Sequence, residues 1–242
     1  MKIFKPDDMP LFFKPLPDRD ECRLSVAVCA FFALGEDCAE LLLEQQMWPA
    51  IEAALGENEL FDAGWPKPRA EFLVYASAHS ATPAHGLEVD VRLGELTKTL
   101  NIFGNRIWSA TGRPSEPEPF VNMRICYERA FGGPDIPENP LGRGSVKNAE
   151  GLRPLPNILA PDQLMSSPKD RPAPAGFTAM PATWTQRKQH MGKVDDNYLL
   201  QSWPGFPQGT DPEYFCTAPE NQRTKGFFQG DEKIVLKNMH PD

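Results

Sequence analysis

The 242 residues carry 40% hydrophobic and 10% aromatic side chains, enough to bury a core in one large or two small domains, which sets disorder aside as a starting assumption. With 25 basic against 33 acidic residues the formal net charge is -8, and no long basic stripe is present to replace the counterions of a nucleic-acid backbone. No uncharged apolar run reaches the roughly 18 residues that a membrane-spanning helix needs.

Met1 to Asp8 lacks the apolar centre of a secretory signal, and the five cysteines, Cys22, Cys29, Cys38, Cys126 and Cys216, are odd in number and widely spaced. A disulfide framework is therefore not expected, and a soluble protein of a reducing cytoplasm is. The 26 Pro and 18 Gly make up about 18% of the chain, short of the roughly 25–30% of a low-complexity sequence, but they call for many loops.

In chain order, Arg23 to Leu34 is an almost continuous apolar run suited to a strand buried on both faces, although its periodicity fits a helix as well. Glu40 to Leu55 has helical composition, with Pro49 placed to start a turn and Gly56 to end one. Arg69 to Ala78 reads as a strand through Phe72, Val74 and Tyr75. Leu87 to Leu93 has the clearest period of two: Leu87, Val89, Val91 and Leu93 face a core, and Glu88, Asp90 and Arg92 face water. Gly94-Glu95 and Gly104-Asn105 are placed to reverse the chain, so residues 87 to 108 suggest an antiparallel meander of three strands.

Phe120 to Phe131 suggests a further long strand with Met123, Ile125, Tyr127, Arg129 and Phe131 on one side. Of the 26 prolines, 13 lie from Pro114 to Pro181, where missing N–H donors make regular pairing sparse and long ordered loops the expectation. Glu232 to Asn238 offers one last alternating strand. The fold class that follows is mainly β, a β-rich α+β chain: an antiparallel sheet or sandwich with short helices and long Pro-rich loops, read as a single domain over residues 1–242.

Few constellations carry chemistry. There is no C-x-x-C pair; His79 and His85 stand six apart across an expected loop, His190 and His240 stand alone, and no metal or cofactor is expected. There is no G-x-S-x-G nucleophile elbow. Gly142-Arg143-Gly144-Ser145 lacks the Gly-Lys-Ser/Thr ending of a phosphate loop and reads as a tight turn requiring Gly dihedrals. Arg187-Lys188-Gln189-His190, with Lys193, reads as a solvated basic loop. Glu128 with Asp195, Asp196, Asp231 or Glu232 is the enzyme option, a general acid and base of unknown separation. The alternative for Glu128 and Arg129 is internal, one of them holding a loop by charge-assisted hydrogen bonds. Trp65, Trp108, Trp184 and Trp203, with Phe177, Phe206, Tyr214, Phe215, Phe227 and Phe228, often adjoin Pro or Gly and suit loop-pinning or interface anchoring.

Several ordered blocks carry a family resemblance. They are Pro66-Lys67-Pro68-Arg69-Ala70-Glu71-Phe72-Leu73-Val74-Tyr75 before Ala78-His79; Tyr127-Glu128-Arg129-Ala130-Phe131-Gly132-Gly133; Asn139-Pro140-Leu141-Gly142-Arg143-Gly144; Leu155-Pro156-Asn157-Ile158; Pro174-Ala175-Gly176-Phe177; Trp184 with Arg187; and Ala218-Pro219-Glu220-Asn221-Gln222 before Gly230-Asp231-Glu232. From about residue 20 onward the chain resembles the bacterial domain-of-unknown-function 2169 family, whose members are similar to adaptor or chaperone proteins of type VI secretion. The resemblance implies a non-enzymatic role: binding a toxic effector in the cytoplasm and helping to load it on the VgrG spike. It implies no catalytic residue, and similar proteins continue beyond Glu232, some into a pentapeptide-repeat region. The alternatives are a hydrolase or carbohydrate-active enzyme with a carboxylate pair, and a structural module of a larger pentapeptide-repeat protein. The oligomeric state stays open.

Overall fold

The computed structural model describes residues 11–18, 21–28, 32–34, 39–41, 67–196, 198 and 206–241. The backbone divides into two compact units, Met1–Lys67 with Met191–Phe215, and Pro68–His190 with Cys216–Asp242.

In the first unit, β1 (Leu11–Asp18) and β2 (Glu21–Val28) form an antiparallel hairpin that closes at Asp18 and Glu21. Pro15 and Pro17 in β1 offer no N–H, which a strand with one partner tolerates. The apolar run expected as one strand from Arg23 is divided: β2 ends at Val28, and β3 (Phe32–Leu34) pairs instead with β4 (Ala39–Leu41). Glu40 and Leu41 are thus strand rather than helix; the rest of the expected helix, with Trp65 and Trp203, lies outside the described residues. In the same unit Phe206 meets Phe215 edge to face at 4.8 Å, next to a 3-10 turn over Pro212–Phe215.

The second unit holds two antiparallel sheets. β6 (Gly86–Leu93) and β7 (Leu96–Phe103) form a hairpin, Leu93 opposite Leu96, flanked by β11 (Ile158–Leu159) on β7 and β12 (Ile234–Lys237) on β6. β5 (Ala76–Ala84) is flanked by β8 (Phe120–Arg124) and β13 (Met239–Pro241). Two strand pairs cross between the sheets at corners: β5 runs into β6 through His85, and β12 into β13 through Asn238, whose φ of 57° turns the chain and whose side-chain amide donates to Glu88 O at 2.9 Å. Asn tolerates this left-handed conformation better than most residues. The core joins both sheets, with Ala78 and Met123 from one and Val89, Val91, Leu100, Ile102 and Ile158 from the other. The mainly β, antiparallel character with only short helices is as the sequence indicates.

Several local expectations change. Arg69 to Tyr75 is not ladder: regular strand begins at Ala76, and the upstream donors go to separate segments, Ala70 N to Gly226 O, Phe72 N to Gln222 O and Val74 N to Phe177 O. The third strand of the meander is reduced to single bridges, Ile107 with Pro154 and Trp108 with Pro114, because a proline partner cannot extend a ladder. The long strand from Phe120 stops at Arg124; a 3-10 turn over Tyr127–Arg129 follows, then β9 (Phe131–Gly132), which pairs in parallel with β10 (Arg143–Gly144). The alternation still marks the core, since Met123, Ile125, Tyr127 and Phe131 are all buried.

Asp90, expected on the wet face, is buried: Thr99 Oγ1 donates to it at 2.6 Å, and Arg92 and Lys237 lie at 3.8 and 3.6 Å. Burial is tolerated because the carboxylate is hydrogen-bonded and flanked by cations. His79 lies inside β5, not in a loop. The basic run at Arg187 is a single helical turn, α1 (Thr185–Lys188), and Arg187 is buried. Gly144 has a φ of 108°, as a Gly-dependent turn requires.

Candidate functional site

Three family blocks, Tyr127–Gly133, Asn139–Gly144 and Leu155–Ile158, scattered along the sequence, meet in the second unit in one knot around Tyr127–Gly133. Asn139 is its centre. The side chain is fully buried, and Nδ2 donates to Tyr127 O at 2.8 Å and Phe131 O at 3.0 Å, while the backbone carbonyl of Asn139 accepts from Gly133 N and Gly142 N. A Cβ on Gly142 would stand 2.7 Å from the Gly132 Cα and 2.8 Å from Ala130 O, so the Asn139-Pro140-Leu141-Gly142 loop can close on β9 only with glycine there. Pro140 itself is exposed at the tip of the loop.

The Leu155-Pro156-Asn157-Ile158 block closes the other side. Asn157 N donates to Arg129 O at 2.8 Å and its Nδ2 to Phe103 O at 3.0 Å; the Pro156 carbonyl accepts from Arg106. Removing the Asn139 amide takes a donor from Phe131 O, worth about 1–3 kcal/mol, and one of two donors from Tyr127 O, which keeps Ala130 N. Asn139→Ala is therefore expected to lower the free energy of unfolding by about 1–3 kcal/mol, measurable by urea denaturation; a loss below about 1 kcal/mol would show the loop to be held by other contacts.

The remaining blocks form a second layer. Gly176 lies against the Tyr127 ring, where a Cβ would stand 2.9 Å from Cε1, and Trp184 meets that ring edge to face at 4.6 Å. Burial first, and Tyr75 second, push the Tyr127 phenol well above its ordinary value, so it stays protonated. Arg187 Nη1 donates to Met180 O at 2.9 Å. Glu71 accepts from Thr217 N, Thr217 Oγ1 and Ala218 N, holding the Cys216–Ala218 segment to the Arg69–Tyr75 stretch. Gln222, fully buried, donates to Phe72 O and Phe177 O, both at 2.8 Å.

Sequence reasoning missed Lys98. It occupies a core-face position of β7, in step with Leu100 and Ile102, yet no carboxylate neutralises it among the described residues. Nζ donates to Gly176 O at 2.5 Å and Gln222 Oε1 at 2.6 Å, tying β7 to two family blocks. Burial lowers its pKa from 10.5 to about 7. The available signal was the apolar alternation of Leu96, Leu100 and Ile102, interrupted by a lysine on the same parity.

At the outer rim of the knot stand Cys126, Glu128, Arg129 and Arg143. Cys126 is half-buried, and burial, then Glu128, push its thiol up, the opposite of what a nucleophilic thiolate needs. Arg143 Nε donates to the Glu128 carbonyl at 3.0 Å. Glu128 is exposed, and Glu232 is engaged locally, accepting from Gln229 N and Gly230 N. Among the described residues no group of three His, Cys, Asp or Glu is placed to hold a metal ion, and no helix is long and apolar enough to cross a membrane.

No curated protein and no solved structure matches the chain. A family model described as "uncharacterized protein conserved in bacteria" (DUF2169) matches residues 19–242, the span that holds every block of the knot, and the chain belongs to that family.

Proposed function

We propose that the protein is a non-enzymatic adaptor or chaperone, which binds a type VI secretion effector in the bacterial cytoplasm and helps to load it on the VgrG spike. The observation that carries this reading is how the family-block residues are spent. The side-chain N–H groups of Asn139, Asn157, Gln222 and Arg187 donate to backbone carbonyls, and Tyr127, Phe177 and Trp184 are committed to ring and core packing. Such a pattern builds a rigid scaffold that presents loops, and a shape for recognition accounts for it more simply than a reaction centre does.

The reading is tested by co-purification with the products of neighbouring reading frames. Retention of a toxin-like protein and a spike protein by the folded chain is the expected result; retention of neither rejects the adaptor role.

A further inference from the structure

His79 and His240, far apart in the sequence, meet on the solvent face of the three-stranded sheet. There β13, β5 and β8 lie side by side, with His240 opposite Ser77, Ser77 opposite Arg124 and His79 opposite Asn122. Residues opposite one another across a ladder, and those two apart along a strand, share a face. Ala78, Met123 and Met239 take the core face, so both histidines project from the other, and both are exposed. Their ring centres stand 6.0 Å apart, with the planes at 61°.

Asn122 fixes one of the two rings. Its Oδ1 lies 2.7 Å from His79 Nδ1; an amide oxygen only accepts, so that nitrogen carries the proton and the neutral ring presents its lone pair at Nε2. A histidine whose second nitrogen donates to a polar partner is oriented as metal-ligating histidines are. An imidazole ligates through one nitrogen and keeps the other for a hydrogen bond, so His240 needs only one of its two. Zinc takes imidazole nitrogens at about 2.0–2.1 Å, which puts the centres of two rings on one ion roughly 4.5–6.5 Å apart, according to the angle at the metal. The observed 6.0 Å falls inside that span. The angle between the planes requires one ring to turn, and with His79 held by Asn122 that ring is His240, exposed on an edge strand.

We infer that His79 and His240 form a two-histidine site for a divalent transition-metal ion, zinc, copper or nickel, on the outer face of this sheet. The donors set the selectivity. Two neutral nitrogens bind by lone-pair donation, which suits these ions, whereas magnesium and calcium require oxygen ligands. Arg124 shares the face, opposite Ser77, and its charge works against a cation held by charge alone. With two ligands from the chain, a four-coordinate ion keeps positions for water or for a donor from another molecule. The site stands independently of the adaptor reading.

The test is a titration of the full chain with nickel(II) alone, in a non-coordinating buffer, while the histidine ring resonances are followed by NMR. The paramagnetic ion broadens the rings that ligate it. His79 and His240 are expected to broaden together at substoichiometric metal, ahead of His85 and His190, and magnesium at the same concentration is expected to leave them unchanged. Broadening of one of the two rings alone, equal broadening of His85 or His190, or an equal response to magnesium overturns the site.

Calorimetry then compares wild type with His79→Gln and His240→Gln. Each variant is expected to bind nickel at least about tenfold more weakly, because a single imidazole lacks the effective concentration of the second. His85→Gln is expected to bind as wild type does. A loss in only one of the two variants, or the same loss in His85→Gln, overturns the inference. Both histidines are exposed, so the variants are expected to keep the wild-type denaturation midpoint without metal; where a midpoint falls, the broadening pattern of the wild type decides alone.

Discussion

Replacing Trp184 by alanine is expected to lower the free energy of unfolding by about 3–5 kcal/mol, a large part of the roughly 5–15 kcal/mol that holds a domain of this kind together. The indole is 2% exposed and packs edge to face on Tyr127 at 4.6 Å, while its backbone carbonyl accepts from Arg187 N to open the single helical turn. Truncation removes the largest ring of the second layer and leaves a void that the Tyr127 ring, pinned by Gly176, cannot fill. Trp184→Phe, which keeps an aromatic edge against Tyr127, is expected to lose less than half as much. Equal losses for the two variants in denaturant titrations would show that indole-specific contacts, rather than ring packing, are at stake.

The second large effect is a pH dependence set by Lys98. In the unfolded chain its amine holds a proton up to about its ordinary 10.5, but in the fold only up to about 7. Between those values the unfolded state binds more protons, so stability rises with pH, by up to about 1.4 kcal/mol per pH unit. The cost of the buried charge is fully present below pH 7 and gone above about 10.5. A neutral amine has two N–H donors, which matches its two acceptors, Gly176 O and Gln222 Oε1.

The useful window ends near pH 10, where unfolded tyrosines ionise while Tyr127 stays protonated and stability falls again. Unfolding measured from pH 6.5 to 9.5 should show the rise in wild type and its absence in Lys98→Met. A wild-type profile that is flat over that range would mean that the amine keeps its proton in the fold.

The sequence made the β6–β7 hairpin of the second unit legible because both strands carry apolar residues at a period of two and one face of each meets the core. It made the knot legible as a pattern but not as a shape. Tyr127 to Phe131 has the alternation of a strand, and the turn that interrupts it is stabilised by Asn139, 12 and 8 residues away from the carbonyls it holds. Local propensity carries no trace of such a bond.

Arg69 to Tyr75 failed as a strand for a related reason: its apolar residues are strand-like, but its hydrogen bonds are divided among Gly226, Gln222 and Phe177, segments that only the fold brings together. Asp90 and Lys98 were hidden by the rule that charge faces water, which gives way wherever partners such as Thr99, or Gly176 and Gln222, are supplied from elsewhere.

The corner at Asn238 bears on how the molecule reaches its structure. The strands on either side of it complete both sheets, and Asn238 holds a carbonyl 150 residues upstream, at Glu88. Loop closure on that scale is entropically slow, so folding of the second unit should be limited by the arrival of these strands rather than by the β6–β7 hairpin. Until they dock, the open edges of β5 and β6 are the surfaces most exposed to wrong partners, which makes the interval between synthesis and closure the most vulnerable stage for this protein.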